Sequence, residues 1–96
     1  STLKSSVSSF MADFQESATL TLILQDKYGN PIVTSDHLEF VQSGPFVNFL
    51  KLSDIDYSQR NYGEYTVTVT GGKEGTATLI PMLNGVHQAK LSVSLD

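Results

Sequence analysis

The clearest alternation of apolar and polar residues in this chain runs from Tyr65 to Thr70. Tyr65, Val67 and Val69 share one parity, and three threonines occupy the other. A period of two is typical of a β-strand that has one face in the core and one in solvent. The pattern therefore predicts a half-buried strand, which the following glycine pair ends.

The same alternation, or a short apolar run, recurs along the rest of the chain. The other predicted strands are 18–26, 37–41, 46–52, 75–83 and 86–95, with a weaker edge strand within 1–10. No segment has a helical period. About seven strands separated by turn residues predict an all-β, antiparallel, two-sheet sandwich with Greek-key connections.

Particular residues mark the turns between these strands. The motif Gly29-Asn30-Pro31 ends one strand, and Asn84-Gly85 is the strongest short signal for a type I′ hairpin. We expect Gly29 and Gly85 to have positive φ. Pro81 cannot donate to a ladder, so it predicts an edge position, a bulge or a strand end.

The composition fits one globular domain over residues 1–96. Hydrophobic residues make up 40% of the chain and charged residues 17%, and there is no cysteine. The core must therefore hold the fold without a disulfide, and zinc–thiolate sites and cysteine nucleophiles are excluded. A net charge of -4 argues against nucleic acid and against electrostatic docking on anionic membrane. The first residue, Ser1, and the absence of a signal peptide suggest a domain excised from a longer protein.

Residues able to bind a metal or to catalyse a reaction are few. His37 and His87 lack the spacing of metal ligands and are expected to face solvent. The candidate calcium ligands are the carboxylates of Asp26, Asp54, Asp56 and Glu64, but the EF-hand glycine and terminal glutamate are missing. We therefore expect no catalytic residue, no metal and no cofactor.

Aromatic residues supply the only candidate binding surface. Phe46, Tyr57 and Tyr62 fall near predicted loops, as does Tyr28. Exposed rings of this kind can stack on sugars or anchor a protein partner. The competing interpretation is that the loop tyrosines pack locally.

The residues before the Tyr65 strand resemble a known corner. Asn61-x-Gly63-x-Tyr65 is similar to the turn that precedes strand F in immunoglobulin-like sandwiches. The resemblance implies that Gly63 makes the turn and that the Tyr65 hydroxyl bonds to nearby backbone. Val67 stands where antibody domains carry a cysteine.

Longer fragments resemble bacterial immunoglobulin-like domains of the invasin/intimin type. The fragments are ATLTL (18–22), QDKYGNPI (25–32), GEYTVTVT (63–70) and KEGTATL (73–79). The D-x-x-G-N-P element is the most specific of them, and the likeness spans residues 7–95. Residues 46–61 depart from the commonest pattern of the family.

This resemblance implies a non-enzymatic module of a bacterial surface adhesin, exported through the outer membrane as part of a larger protein. The module would be a rigid spacer or part of the host-binding region. The implied partners are neighbouring immunoglobulin-like domains and a host-cell surface or matrix protein or glycan, without membrane insertion by this domain. The alternative is an accessory carbohydrate-binding sandwich of a secreted enzyme or phage fibre.

Overall fold

A computed structural model describes residues 1–34, 36–43 and 50–96, and these residues form two β-sheets that share one core. The strands are β1 (Thr2–Ser5), β2 (Ser9–Phe10), β3 (Ala18–Ile23), β4 (Leu38–Ser43), β5 (Leu50–Leu52), β6 (Glu64–Gly71), β7 (Gly75–Leu83), β8 (Val86–His87) and β9 (Leu91–Leu95). A short 3₁₀ turn, Arg60–Tyr62, precedes β6. The prediction for 46–52 is met at β5, and its first part lies outside the described residues.

The strand order is that of an immunoglobulin-like sandwich. The first sheet has the order β1-β3-β6-β5, and the second has the order β2-β9-β7-β4 with β8 paired to β7. These orders correspond to strands A, B, E and D in one sheet and to G, F and C in the other. The predicted all-β, antiparallel sandwich is confirmed. The described residues form nine strands where the sequence predicts about seven, because two of the predicted strands are each divided.

The first divided strand is the predicted edge strand within residues 1–10. β1 pairs antiparallel with β3 in the first sheet, whereas β2 pairs parallel with β9 in the second. The chain changes sheets around Val7, which lies between the two pieces. A single edge strand was therefore the wrong prediction, because apolar spacing does not show which sheet a short strand joins.

The second divided strand is 86–95, which the sequence predicts as one piece. Leu79 pairs with Leu91, but Met82 pairs with His87, so three residues oppose two between these pairs. The extra residue is a bulge opposite Pro81, whose carbonyl accepts the Gln88 N–H at 2.9 Å. Because β7 has neighbours on both sides, the bulge is the correct one of the three explanations for the proline.

The corner assigned to strand F belongs to another strand. Tyr65 lies in β6, between β3 and β5, which is the position of strand E. Strand F corresponds to β7. A glycine followed by a tyrosine can open several strands, and only the pairing partners distinguish them. The comparison of Val67 with the antibody cysteine therefore does not hold.

The core lies between the sheets and consists of inward residues of both. In the first sheet Leu20 pairs with Val67, and Leu22 pairs with Tyr65. The buried apolar residues are Leu3, Phe10, Ala18, Leu20, Leu22, Leu24, Leu38, Leu50, Tyr65, Val67, Val69, Ala77, Leu79, Val93 and Leu95. Full burial of a large side chain of this kind contributes about 1.5–3 kcal/mol, so the core stabilises the fold without a disulfide.

The turn glycines have the backbone that the sequence predicts. Gly29 has a φ of +82° and Gly85 a φ of +79°, and Asn84 beside it has a φ of +53°. Two successive positive φ values are the signature of a type I′ hairpin, which here connects β7 to β8. The turn residues therefore determine where the strands reverse.

Candidate interaction surfaces

The loop after β3 is organised by the carboxylate of Asp26. Its Oδ1 accepts the N–H groups of Tyr28 at 2.8 Å and of Asn30 at 2.9 Å, while the Asn30 side-chain amide donates to Oδ2 at 3.2 Å. These bonds, the Asn30 N–H first among them, hold the pKa of Asp26 below its usual value. Gly29 takes the left-handed position in this turn, and Pro31 forms a bridge with Gln25. The D-x-x-G-N-P element is therefore a self-capped turn.

The Tyr65 side chain ties β6 to the segment that leads into β4. Its ring is fully buried, and its hydroxyl donates to the Ile32 carbonyl and accepts the Thr34 N–H, both at 2.8 Å. The expected bond to nearby backbone in the corner is thus replaced by bonds to a segment more than thirty residues earlier. This difference follows from the place of Tyr65 on strand E.

Gly63 allows the chain just before β6 to approach Leu24 and Pro31 closely. It has a φ of +71° and ends the 3₁₀ turn by donating its N–H to the Arg60 carbonyl at 2.9 Å. A Cβ at this position would lie 2.5 Å from the Leu24 carbonyl oxygen and 3.0 Å from the Pro31 Cβ. Only glycine fits here without moving backbone atoms.

Tyr57 packs locally. Its ring meets the ring of Tyr65 edge to face, with the centroids 5.7 Å apart and the planes at 78°. The residue is half-buried, and this burial, together with the nearby charge of Asp36, raises the pKa of its hydroxyl. Tyr57 thus extends the core at its margin.

Among the aromatic residues predicted as a binding surface, Tyr62 and Tyr28 are exposed, at 74% and 76%. Lys27 places its Nζ 5.0 Å from the centre of the Tyr28 ring, which is a cation–π geometry. Phe46 lies outside the described residues. Tyr57 and Tyr62, which the sequence predicts together as a binding surface, therefore differ in burial, since Tyr57 is half-buried and Tyr62 is exposed.

A groove between the edge strands β4 and β5 is a feature that the sequence analysis missed. It has a volume of about 430 Å³. Its lining residues are Leu38, Glu39, Phe40, Leu52, Ser53, Asp54, Ile55, Tyr57 and Val67. The available signal was the pair of apolar residues Ile55 and Tyr57 within an otherwise polar loop.

The acidic and histidine residues form no metal-binding cluster within residues 1–34, 36–43 and 50–96. The Asp56 carboxylate accepts the Ser58 N–H at 2.8 Å and so caps a turn, as Asp26 does. His37 lies 3.4 Å from the Asp36 carboxylate on the surface, and His87 is exposed on β8. The carboxylates of Asp26 and Asp56 thus accept backbone N–H groups of their own turns.

Within the part of the chain that the structure describes, no helix has the length and apolar character to cross a membrane.

Sequence and structure comparisons place this sandwich among bacterial adhesins. The family model for invasin domain 3 matches residues 1–95. The inverse autotransporter adhesin YeeJ of Escherichia coli (strain K12) is 57% identical over 96 residues, which are 100% of this chain and 4% of that protein. The crystal structure of invasin, a bacterial integrin-binding protein, superposes with a TM-score of 0.83 at 27% identity and covers 98% of this chain and 19% of its own. The Escherichia coli adhesin FdeC gives a TM-score of 0.76 at 28% identity, over 96% of this chain and 29% of its own.

The fold and these matches together define an immunoglobulin-like module of an adhesin. The chain belongs to the invasin domain 3 family. Inverse autotransporter adhesins of this kind are exported through the outer membrane to the cell surface. The resemblance, the surface location and the non-enzymatic class that the sequence predicts are therefore confirmed.

Proposed function

We propose that residues 1–96 form one rigid spacer module in the extracellular rod of an adhesin. The observation that carries this proposal is that the first strand begins and the last strand ends at opposite ends of the sandwich. The molecule measures 38 × 22 × 20 Å. β1 starts opposite Ile23, and β9 ends opposite Gly75, at the other end of the long axis. Modules joined through these ends would form an extended rod.

Two names keep the ends distinct. The upper pole consists of residues 24–34, 36–37, 57–63 and 84–86, and the lower pole consists of residues 11–17 and 72–74. Ser1 lies at the upper pole, where its Oγ accepts the Gln25 N–H at 3.4 Å. Asp96 lies at the lower pole, where its carbonyl accepts the Ala12 N–H at 2.9 Å.

The flanks of the sandwich are polar, as a solvated spacer requires. On the outer face of the first sheet, Thr19 pairs with Thr68 and Thr21 pairs with Thr66. On the second sheet, Thr78 Oγ1 and Ser92 Oγ share a hydrogen bond of 3.1 Å. Small hydroxyl side chains give β-propensity and water contacts without an apolar patch that would aggregate.

The ligand of the whole protein is a host-cell surface or matrix protein or glycan in this proposal. Invasin is described as integrin-binding, which supports this class of partner. The immediate neighbours of this domain are further immunoglobulin-like domains of the same chain. The accessory carbohydrate-binding alternative has less support, because Tyr57 is committed to Tyr65.

A second candidate, direct contact with the host, is favoured by the groove between β4 and β5. The groove has an apolar floor, with Phe40 and Leu52, and a polar rim, with Glu39 and Asp54. Such a lining suits a ligand that carries both apolar and polar groups. The spacer role remains the better supported of the two, because Glu39 and Asp54 of the groove are exposed and no polar or charged residue is buried in the described part of the chain.

A domain exchange separates the two roles. In the full-length protein on the bacterial surface, residues 1–96 are deleted, or are replaced by another immunoglobulin-like domain of the same protein. Surface display is measured by antibody, and adhesion by binding to cultured host cells. The spacer role predicts that the replacement restores the adhesion that the deletion reduces. Normal display with lost adhesion after replacement would instead assign binding to this domain.

A further inference from the structure

The large exposed apolar side chains are concentrated at the ends of the molecule. Within residues 1–34, 36–43 and 50–96 there are seven of them. The upper pole has Tyr28, Val33, Tyr62 and Val86, the lower pole has Met11 and Phe14, and only Val7 lies on a flank. Large apolar side chains at the end of a rod are unfavourable in water, but they are favourable where that end packs against another domain.

Val33, Tyr62 and Val86 lie on three segments that the fold brings together at the upper pole. The segment of Val33 is held to β6 by the Tyr65 hydroxyl. The segment of Tyr62 leads directly into Gly63, which contacts Leu24 and Pro31. Val86 follows the hairpin in which the Asn84 N–H donates to the His37 carbonyl at 3.0 Å.

The loop after β3 and the segment of Val33 that follows it are ordered by hydrogen bonds within the domain itself. The Asp26 carboxylate fixes the loop after β3, and the Tyr65 hydroxyl fixes its return. A surface that is already ordered loses little conformational entropy when it is covered. The upper pole is thus suited to a stable contact rather than to a flexible linkage.

We propose that the upper pole is the docking face for the domain that precedes this one in the same polypeptide, with Val33, Tyr62 and Val86 in the contact. This inference rests on the proposed spacer function. β1 starts at the upper pole, so chain joined ahead of Thr2 arrives there. The matched region is 4% of the Escherichia coli relative, so nearly all of that protein lies outside it. Chain that follows β9 leaves from the lower pole and does not compete for this face.

Residues 1–96 contain no cysteine, so thiol labelling gives a direct test in a full-length protein whose other domains carry no cysteine or have it replaced by serine. Val33→Cys, Val86→Cys and Val7→Cys are made singly in the full-length surface protein, and the rate of reaction with a maleimide is measured. Cysteine is close to valine in size, so these changes preserve the contact. In this domain the exposures are 53% for Val33, 61% for Val86 and 41% for Val7. Exposure alone therefore predicts that the two pole cysteines react at least as fast as the flank control.

A docked neighbour reverses that order. We expect Val33→Cys and Val86→Cys to react at least about tenfold more slowly than Val7→Cys, since a tenfold excess of the docked state reduces access by that factor. Deleting the preceding domain should restore fast labelling at both pole positions and leave Val7→Cys unchanged. Antibody detection of each variant on the surface confirms that it is folded and exported.

Equal labelling of all three cysteines would overturn the docking, as would slow labelling that persists without the preceding domain. Protection that appears only after host cells are added would assign the pole to a host ligand and would also overturn it. The labelling results are independent of the domain exchange. In that experiment the proposed spacer function is contradicted when adhesion stays lost after the replacement. Failure of one inference is therefore distinguishable from failure of the other.

Discussion

The Tyr65 hydroxyl donates a hydrogen bond of 2.8 Å to the carbonyl oxygen of Ile32, thirty-three residues earlier in the chain. The same oxygen accepts the Thr34 N–H, so it serves as donor and acceptor to one stretch of backbone. One buried side chain thereby joins β6 to the segment that connects β3 in the first sheet with β4 in the second.

Tyr65→Phe tests the strength of this link. The change leaves a partly buried carbonyl and a partly buried N–H without their partner, which costs about 1–2 kcal/mol. Urea unfolding followed by circular dichroism measures the loss. Tyr62→Phe removes the same atom from a ring that is 74% exposed and serves as the control. Equal stability of the two variants would contradict the role of the hydroxyl.

Three glycines with similar positive φ values separate backbone strain from steric conflict. Gly29→Ala and Gly85→Ala place a Cβ in open space, so we expect each to cost about 1–2 kcal/mol from the left-handed backbone alone. Gly63→Ala adds a conflict with the Leu24 carbonyl, and we expect a loss of about 3 kcal/mol or more. Thermal unfolding of the three variants gives the comparison. A Gly63→Ala variant no less stable than the other two would show that the backbone moves freely there.

Gly72 and Phe14 offer a double-mutant test at the lower pole. A Cβ on Gly72 would overlap the Phe14 ring, whose exposed side chain has room to move towards solvent. We expect Gly72→Ala to cost about 1 kcal/mol in the native background and less when Phe14→Ala is also present. Chemical unfolding of the four proteins measures the coupling. Simple additivity would mean that the ring does not rest on Gly72.

Acid should weaken the fold partly through Asp26. Backbone N–H groups lower its pKa in the folded state, so its carboxylate stabilises the protein above the ordinary aspartate pKa. That contribution is lost as the pH falls through the lowered folded-state pKa. We expect Asp26→Asn to flatten the decline in melting temperature between about pH 5 and about pH 2. Asp54→Asn, which changes the net charge equally, is the control, and an equal flattening in both would contradict this role.

The strands with strong alternation were predictable, and so were the turns. Residues 18–26 and 64–71 each show a period of two that the burial of Leu20, Leu22 and Val67 reproduces. Gly29 and Gly85 were predictable for a different reason, since a positive φ is a local requirement of one residue. Such features depend on neighbours in sequence alone.

The features that depend on partners far along the chain were not predictable. Neither the place of β6 as strand E nor the change of sheet around Val7 is visible in alternation, because both depend on which strands pair. The groove between β4 and β5 likewise requires two edges that are distant in sequence to face each other. The difference in burial between Tyr57 and Tyr62 also depends on a distant partner, because Tyr57 packs against Tyr65 of β6.

The parallel pairing of β2 with β9 sets how the domain would respond to tension between its two poles. Asp96 donates its N–H to the Phe10 carbonyl at 2.9 Å, and Ala12 donates back to the Asp96 carbonyl at 2.9 Å. A pull on opposite poles drags these two strands past each other, so the bonds are loaded in shear and must break together. Strands peeled apart one bond at a time would yield at a lower force. In the proposed rod, the divided first strand would therefore resist tension as a mechanical clamp between the two poles.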